Sequence, residues 1–273
     1  MPAAALAFAL AAACFHAVWN LLLARAKDTE SATVVALVTA EVVFAPVAVV
    51  FWHAHATVWP YIAATGVLEL AYFALLAAAY RLVPLSVVYP LARGGAPVLV
   101  LLAGIIFLGH GTSWSQAGGV ALVVVGVIMV RGLGHANAQS VAFGLTIAAC
   151  IAGYTLIDKH GIEHAGPITY LELSMLGPAA VYTAAILRTK GGAAVRAAVG
   201  PATIAAGIAT FVAYALVLAA LQRASAASVA AVRETSVVIA TLLAIPVLRE
   251  RVPPARLAGA VLVAGGIALL ALA

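Results

Sequence analysis

The chain is a succession of long apolar runs separated by short polar, glycine- or proline-containing breaks. The runs are continuous rather than alternating, and each has about 20 residues, which suits a helix that crosses a bilayer and exceeds a barrel strand. We therefore predict an all-α membrane protein with ten transmembrane helices and no soluble domain. The predicted spans are 3–23, 32–52, 58–80, 84–108, 115–131, 140–158, 167–187, 200–221, 225–248 and 254–272.

The second half of the chain repeats the first. The segment A-Y-F-A-L-L-A-A-A-Y-R at Ala71–Arg81 corresponds to A-Y-A-L-V-L-A-A-L-Q-R at Ala213–Arg223. The repeat period is five spans, and an odd number of crossings makes the second copy enter the membrane from the opposite face. We predict two inverted five-helix repeats, residues 1–134 and 135–273, with a site on the axis between them.

Two arginines lie inside apolar runs. Arg93 belongs to S-V-V-Y-P-L-A-R-G-G-A-P-V from Ser86, and Arg233 belongs to A-A-V-R-E-T-S-V-V from Ala230. A charge in the hydrocarbon core costs at least about 2.5–3.5 kcal/mol, so it faces a cavity or a partner. One interpretation is that both arginines line a cavity and bind an anionic group of a substrate. The other is that each is held by an internal acid and only ties helices together.

Prolines interrupt the same two spans. Pro90 and Pro97 remove backbone donors from span 4, and Pro246 does so in span 9. Irregular backbone is tolerated at membrane depth only where protein or a water-filled cavity satisfies it. We predict that both helices are broken near these prolines, which would act as hinges. A broken, charged helix in each half is typical of a transport site.

Four acids also fall within spans: Glu41, Glu69, Glu172 and Glu234. A carboxyl group buried in a bundle can load a proton, so one of them could be the coupling group of a proton-driven carrier. Alternatively they are counter-ions of the two arginines, because opposite charges in a low dielectric seek one another. We prefer the counter-ion interpretation, although the two are compatible.

Aromatic and polar residues within the spans could shape a binding cavity. Tyr72 corresponds to Tyr214 in the repeat, and Trp19 corresponds to Tyr154. The alternative is helix packing or an interfacial belt. The candidate lining residues are Trp19, Asn20, Tyr72, Tyr89, Tyr154 and Tyr214.

Composition supports a membrane protein and excludes a nucleic-acid partner. Hydrophobic residues make up 66% of the chain and charged residues 8%, against about 25% charged residues in a soluble domain. The net charge of +5 is scattered at predicted helix ends and forms no basic patch. Glycines on spans 5 and 10 predict close helix packing, either within the bundle or across a homodimer.

The densest polar cluster runs from Asp158 to His164. Its segment H-G-I-E-H fits the inverted zincin pattern, in which two histidines bind zinc and a glutamate is the base. Gly161 weakens a helix there, and no third ligand is near in sequence. We predict a solvent-exposed loop, no metal site, no cofactor and no enzymatic activity; an intramembrane metallohydrolase is the remote alternative.

The distribution of basic residues bears on orientation. Twelve of the fourteen Lys and Arg lie between the spans or at their ends, and ten of these are in the connections after odd-numbered spans, from Arg25 to Arg256. The positive-inside rule then places both termini outside the cell. An even span count requires only that both termini lie on one side.

The sequence resembles the EamA-type transporters of the drug/metabolite transporter superfamily. The resemblance rests on A-V-R-E-T-S-V-V-I at Ala231–Ile239, V-L-R-E-R-V at Val247–Val252, G-A-V-L-V-A-G-G at Gly259–Gly266 and P-L-A-R-G-G-A-P at Pro90–Pro97. It implies ten helices, cytosolic termini, and a path lined by spans 1, 3, 4, 6, 8 and 9. At Leu108–His110, L-G-H stands where such families often have L-G-E.

On this basis we expect a multi-pass protein of a bacterial-type inner membrane. It would move a small amphipathic or anionic metabolite, amino-acid-like or phosphonate-like, by alternating access. The resemblance favours efflux, and a proton is the candidate coupling ion. The protein would be a monomer or a homodimer in the lipid bilayer. A membrane scaffold or receptor without transport is the alternative.

Overall fold

The computed structural model describes residues 1–83, 85–108, 111, 113–131, 137–239 and 254–272, and in these ranges the regular secondary structure is helical. A short 3-10 turn at Ala56–Val58 precedes the third helix. The helices are α1 (Ala3–Ala24), α2 (Thr29–Val50), α3 (Trp59–Leu82), α4 (Leu85–Leu108), α5 (Trp114–Arg131), α6 (Ala138–Gly161), α7 (Pro167–Ala197), α8 (Pro201–Leu221), α9 (Ala226–Arg233) and α10 (Pro254–Leu272).

The helices confirm an all-helical, multi-pass membrane protein. Six apolar helical stretches are long enough to cross a bilayer: Ala3–Ala24, Thr29–Val50, Ala56–Ala79, Ala138–Gly161, Pro167–Ala197 and Pro201–Leu221. Three other apolar helical stretches are shorter, at Leu91–Phe107, Trp114–Met129 and Ala258–Leu270. The count of ten spans therefore stays a prediction.

Local sequence signals place most helix starts. Asp28 caps α2 by accepting a hydrogen bond from the Ser31 amide at 3.3 Å, and Asn137 caps α6 by accepting from the Ser140 amide at 2.7 Å. A hydrogen bond from Lys190, followed by those from Ser31, lowers the pKa of the exposed Asp28 carboxyl to about 2. Helix α7 is longer than the predicted span because a second short helix follows Gly191, whose φ of 80° breaks the regular backbone.

The predicted break near Pro97 is wrong, because α4 is one continuous helix from Leu85 to Leu108. The interruption lies instead in α9, which ends at Arg233. Glu234 is a turn residue, and the chain is helical again over 235–239. Pro246 lies outside the described residues, and the hinge role of the three prolines stays a prediction.

Each helix of the first half packs against helices of the second. Helix α1 packs on α8, α3 and α4 pack on α6, α2 packs on α7 and α8, and α5 packs on α10. The two termini meet at one end of the bundle, where the Met1 ammonium group donates to the Leu270 carbonyl oxygen at 3.4 Å. The prediction that both termini lie on one side is confirmed.

Glycines on α5 and α10 pack within the chain. A Cβ atom built on Gly266 would lie 2.7 Å from the Gly119 carbonyl oxygen and 2.8 Å from Val123 Cγ2, and one on Gly126 would lie 2.6 Å from the Gly259 carbonyl oxygen. These distances are shorter than van der Waals contact, and backbone atoms cannot rotate away. The glycines therefore set the separation of α5 and α10.

We expect Gly266→Ala to lower the free energy of unfolding by about 1–3 kcal/mol, because the added methyl group forces the two backbones apart. Gly265→Ala is the matched control, since a Cβ atom on Gly265 meets nothing within 4 Å. Thermal unfolding in detergent measures both variants. Equal melting temperatures for the two would contradict the close packing of α5 and α10.

Candidate functional site

Five ionisable residues form a central cluster inside the bundle. The central cluster consists of Glu69 on α3, Arg93 on α4, Asp158 on α6, and Arg233 and Glu234 at the end of α9. Each has at most 7% of its surface exposed. Ionisable groups at membrane depth are expensive and mark functional sites by default.

The Glu234 carboxylate lies between the two arginines. Its Oε2 atom is 3.0 Å from Arg93 Nε, and its Oε1 atom is 4.0 Å from Arg233 Nε. Arg93 Nη2 also donates to Ser236 Oγ at 3.1 Å. Because Arg93 is on α4 and Glu234 follows α9, this ion pair joins the two halves of the chain. The counter-ion interpretation therefore fits Arg93 and Glu234.

The Arg233 guanidinium is held less completely. Its Nε and Nη2 atoms are buried and have no hydrogen-bond acceptor among the described residues. The 4.0 Å separation from Glu234 is an ion contact but exceeds a hydrogen bond. His16 on α1 is half-buried and interacts electrostatically with both arginines. Arg233 thus offers donors to an anionic group that the described residues do not supply.

Asp158, the last residue of predicted span 6 and the first of the polar cluster, belongs to the buried interior. Its Oδ1 atom accepts hydrogen bonds from Thr65 Oγ1 at 2.6 Å and from the Tyr170 hydroxyl at 3.0 Å. Its Oδ2 atom accepts from the Tyr214 hydroxyl at 2.5 Å. The carboxyl group therefore joins α3, α6, α7 and α8. Sequence reasoning missed it, although Asp158 follows Tyr154 by four residues and so shares its helix face.

Three of the predicted tyrosines come together beside the cluster. The ring centroid of Tyr154 lies 6.5 Å from that of Tyr72 and 6.1 Å from that of Tyr214, and both pairs meet edge to face. Tyr72 and Arg93 line a void of about 20 Å³. A void of that size holds about one water molecule, so the space beside Arg93 is too small for a metabolite in this conformation. The side chains of Tyr89 and Pro90 lie outside what the structure describes.

The structure does not bring Trp19 and Asn20 to the cluster. Trp19 packs against Leu23 and Ala206 in an apolar group of α1, α2 and α8. The Asn20 amide donates to the His16 carbonyl oxygen at 2.7 Å, within its own helix. Their prediction as cavity-lining residues has no support in this conformation.

Glu41 and Glu172 form a separate pair between α2 and α7. Glu41 interacts electrostatically with Glu172, and each has a buried Oε2 atom with no hydrogen-bond partner among the described residues. The structure describes no contact between either glutamate and the two arginines. Helices α2 and α7 pack on each other, and the role of these two glutamates as counter-ions or coupling groups stays a prediction.

A larger cavity, of about 340 Å³, opens at the end of the bundle that holds the termini. There the Gln116 amide donates to Ser225 Oγ at 2.6 Å and joins the two halves. The Lys159 ammonium donates to the Leu221 carbonyl oxygen. The cavity is lined by Val100, Leu101, Gly104, Gly111, Gln116, Leu156, Lys159, Ser225, Ala226 and Ala227.

The H-G-I-E-H segment serves structural contacts. The His164 ring stacks on Tyr61 with 5.3 Å between centroids and contacts Thr57 Oγ1 at 3.1 Å. The loops around His53 and His164 pair through a short antiparallel bridge between Ala54 and Ala165. Within the described ranges, no group of three or more His, Cys, Asp or Glu residues could hold a metal ion.

Comparisons with known proteins give the family. The model of the EamA-like transporter family matches residues 139–272. One solved crystal structure superposes with a TM-score of 0.80 over 100% of this chain and 98% of its own length, at 17% sequence identity, which shows a shared fold. No curated protein matches the chain. Residues 139–272, the second half of this multi-pass membrane protein, therefore belong to the EamA-like transporter family.

Proposed function

We propose that this protein is a secondary transporter that moves a small amphipathic or anionic metabolite, amino-acid-like or phosphonate-like, by alternating access. The buried, unsatisfied donors of Arg233 are the observation that carries this proposal. A guanidinium group binds a carboxylate or phosphonate through two parallel hydrogen bonds, so an anionic group of the cargo would supply the acceptors that Arg233 lacks among the described residues.

The proposed architecture is ten spans in two inverted five-helix repeats, residues 1–134 and 135–273. The packing supports it, because the contacts come in pairs that a two-fold axis would relate. Helix α1 packs on α8 as α6 packs on α3, and α2 packs on α8 as α7 packs on α3. Helices α2 and α7 pack on each other, as do α5 and α10, as expected for elements beside the axis. The central cluster draws on both halves, where such carriers bind their cargo.

In the proposed mechanism the cargo competes with the chain's own ion pair. The Glu234 carboxylate contacts the Arg233 guanidinium at 4.0 Å. An anionic group that binds Arg233 therefore comes close to the Glu234 carboxylate and repels it. Weakening the Arg93–Glu234 pair loosens a tie between the halves, which must separate for the site to open. Tyr72, Tyr154 and Tyr214 would contact the apolar part of the cargo. Export is the direction that we propose from the family resemblance.

We expect Arg233→Gln to lower flux by about 10–100-fold, since a hydrogen bond to a charged group contributes about 1.5–3 kcal/mol. The assay is a screen of radiolabelled amino acids, a phosphonate and a cationic dye in proteoliposomes, with and without a pH gradient. Arg223→Gln is the matched control, because Arg223 is exposed and its contacts among the described residues are hydrogen bonds to the Ala219 carbonyl oxygen and Gln222 and a cation–π contact with Phe8.

Two results would contradict the proposal. One is wild-type flux of every transported probe in Arg233→Gln, which would remove Arg233 from the site. The other is a wild-type protein that inserts normally and carries no member of the panel in either direction, as expected of a scaffold or receptor.

A further inference from the structure

We propose that Glu69 is a proton-binding site, the acid of the central cluster that carries a proton while the other four groups are charged. Proton binding at Glu69 goes beyond the proposed function and stands without it. Only the link between this proton and the cargo rests on the proposed function.

Two acids of the cluster are held in their ionised form by their contacts. Glu234 lies between two guanidinium groups, at 3.0 Å from Arg93 and 4.0 Å from Arg233. Asp158 accepts hydrogen bonds from three hydroxyl groups, on Thr65, Tyr170 and Tyr214. Opposite charge and donated hydrogen bonds both favour a carboxylate over a carboxylic acid. These two negative charges balance the two arginines.

Glu69 is then the fifth ionisable group in a cluster that is already neutral. Glu69 is 7% exposed. Asp158 repels a second negative charge at Glu69, and Arg233, which attracts such a charge, is already in contact with Glu234. Ionising Glu69 would leave one net negative charge in a water-poor interior. A buried carboxyl without its own counter-charge neutralises by taking up a proton.

The groups that face Glu69 from the neighbouring helices do not change this balance. The cysteine and the tyrosines among them are neutral, and His16 on α1 is beside two arginines, which oppose a further positive charge. The ionisable groups around Glu69 are Cys150, Tyr154 and Asp158 on α6, Tyr214 on α8 and Arg233 on α9, with Tyr170 on α7 and Arg93 on α4 joined to the same cluster.

The proton at Glu69 and an anion at Arg233 should strengthen each other's binding. With the proton bound the cluster is neutral, and with the proton released to water it carries one negative charge that repels an incoming anion. The linkage is reciprocal, so an anionic cargo that binds Arg233 also tightens the hold on the proton. This gives the proposed carrier a route to proton coupling.

Infrared spectroscopy of the full-length protein in lipid tests the proton site without any cargo. At neutral pH we expect the wild-type protein to show the carbonyl stretch of protonated carboxyl groups, and Glu69→Gln to lose one carboxyl equivalent of that intensity. Glu69→Asp should keep the intensity at a shifted frequency, which provides a second variant if one fails to fold. Asp158→Asn removes one of the two balancing negative charges, so Glu69 should ionise in its place and the band should weaken in that variant as well.

Glu163→Gln is the matched control, because it makes the same change at an exposed glutamate outside the central cluster and should leave the band unchanged. The proposal is overturned if folded Glu69→Gln and Glu69→Asp both give the wild-type carboxyl spectrum. The infrared experiment measures no transport, so a negative infrared result does not contradict the role of Arg233. A negative flux screen likewise does not contradict the proton site at Glu69.

Discussion

Replacing Glu234 with glutamine should lower the free energy of unfolding by about 3–5 kcal/mol, the cost of breaking a buried ion pair and leaving a charge uncompensated. Here one carboxylate contacts two guanidinium groups, of which Arg93 is 7% and Arg233 3% exposed. The neutral amide retains the shape of the side chain, so the effect isolates the charge. Thermal and denaturant unfolding in detergent measure it.

The matched control for this prediction is Glu30→Gln. Glu30 contacts Lys190 at 2.7 Å, but 39% of the Glu30 side chain and 33% of the Lys190 side chain are exposed. Such surface pairs contribute about 0–1 kcal/mol. The same chemical change should therefore have a small effect at Glu30 and a large one at Glu234. Equal losses of stability in the two variants would contradict the description of Glu234 as the charge that holds both arginines.

The buried arginines were predictable because a charge inside a long apolar run is costly and stands out in the sequence. The repeat likewise singled out Tyr72, Tyr154 and Tyr214, and the structure brings these three together. Which acid pairs with which arginine was not predictable. Pairing depends on the helix neighbours, and α2, which carries Glu41, packs on α7, which carries Glu172.

Two errors have local physical causes. Asp158 was not counted among the buried acids because the polar run after it suggested that span 6 ends there, whereas α6 continues to Gly161 and three hydroxyl donors satisfy the carboxyl group. The break expected at Pro97 is absent because a membrane helix tolerates the loss of one backbone hydrogen bond where neighbouring helices cover it. A Cβ atom on Gly95 would lie 3.2 Å from Ala148 Cβ, so α6 packs directly on this part of α4.

The structure corresponds to a conformation of the proposed carrier with little free space at the central cluster. The space beside Arg93 is a void of about 20 Å³, while the cavity of about 340 Å³ lies at the end of the bundle that holds the termini. The Arg93–Glu234 pair and the bond from Gln116 to Ser225 both tie the first half of the chain to the second. A cargo that reaches the central cluster must therefore break contacts between the halves, which is the step that alternating access requires.

Asp158→Ala should have the second large effect on stability, a loss of about 3–5 kcal/mol. Removing the carboxyl group leaves the hydroxyls of Thr65, Tyr170 and Tyr214 without their acceptor, and each buried unsatisfied group costs about 1–3 kcal/mol. The Thr65 and Tyr170 hydroxyls lie 2.9 Å apart and can bond to each other, which limits the total. Loss of the network should also loosen the joint between α3, α6, α7 and α8.

Tyr214→Phe separates the network from simple packing around Asp158. It removes one donor to Oδ2 and keeps the ring that packs on Tyr154, so it should cost about 1.5–3 kcal/mol in the wild-type protein. In the Asp158→Ala background the same change should cost much less, because the hydroxyl no longer has a charged acceptor. A double-mutant cycle from melting temperatures in detergent measures the difference. Additive effects would mean that Tyr214 and Asp158 stabilise the bundle independently, and the hydroxyl network would then not be what holds these helices together.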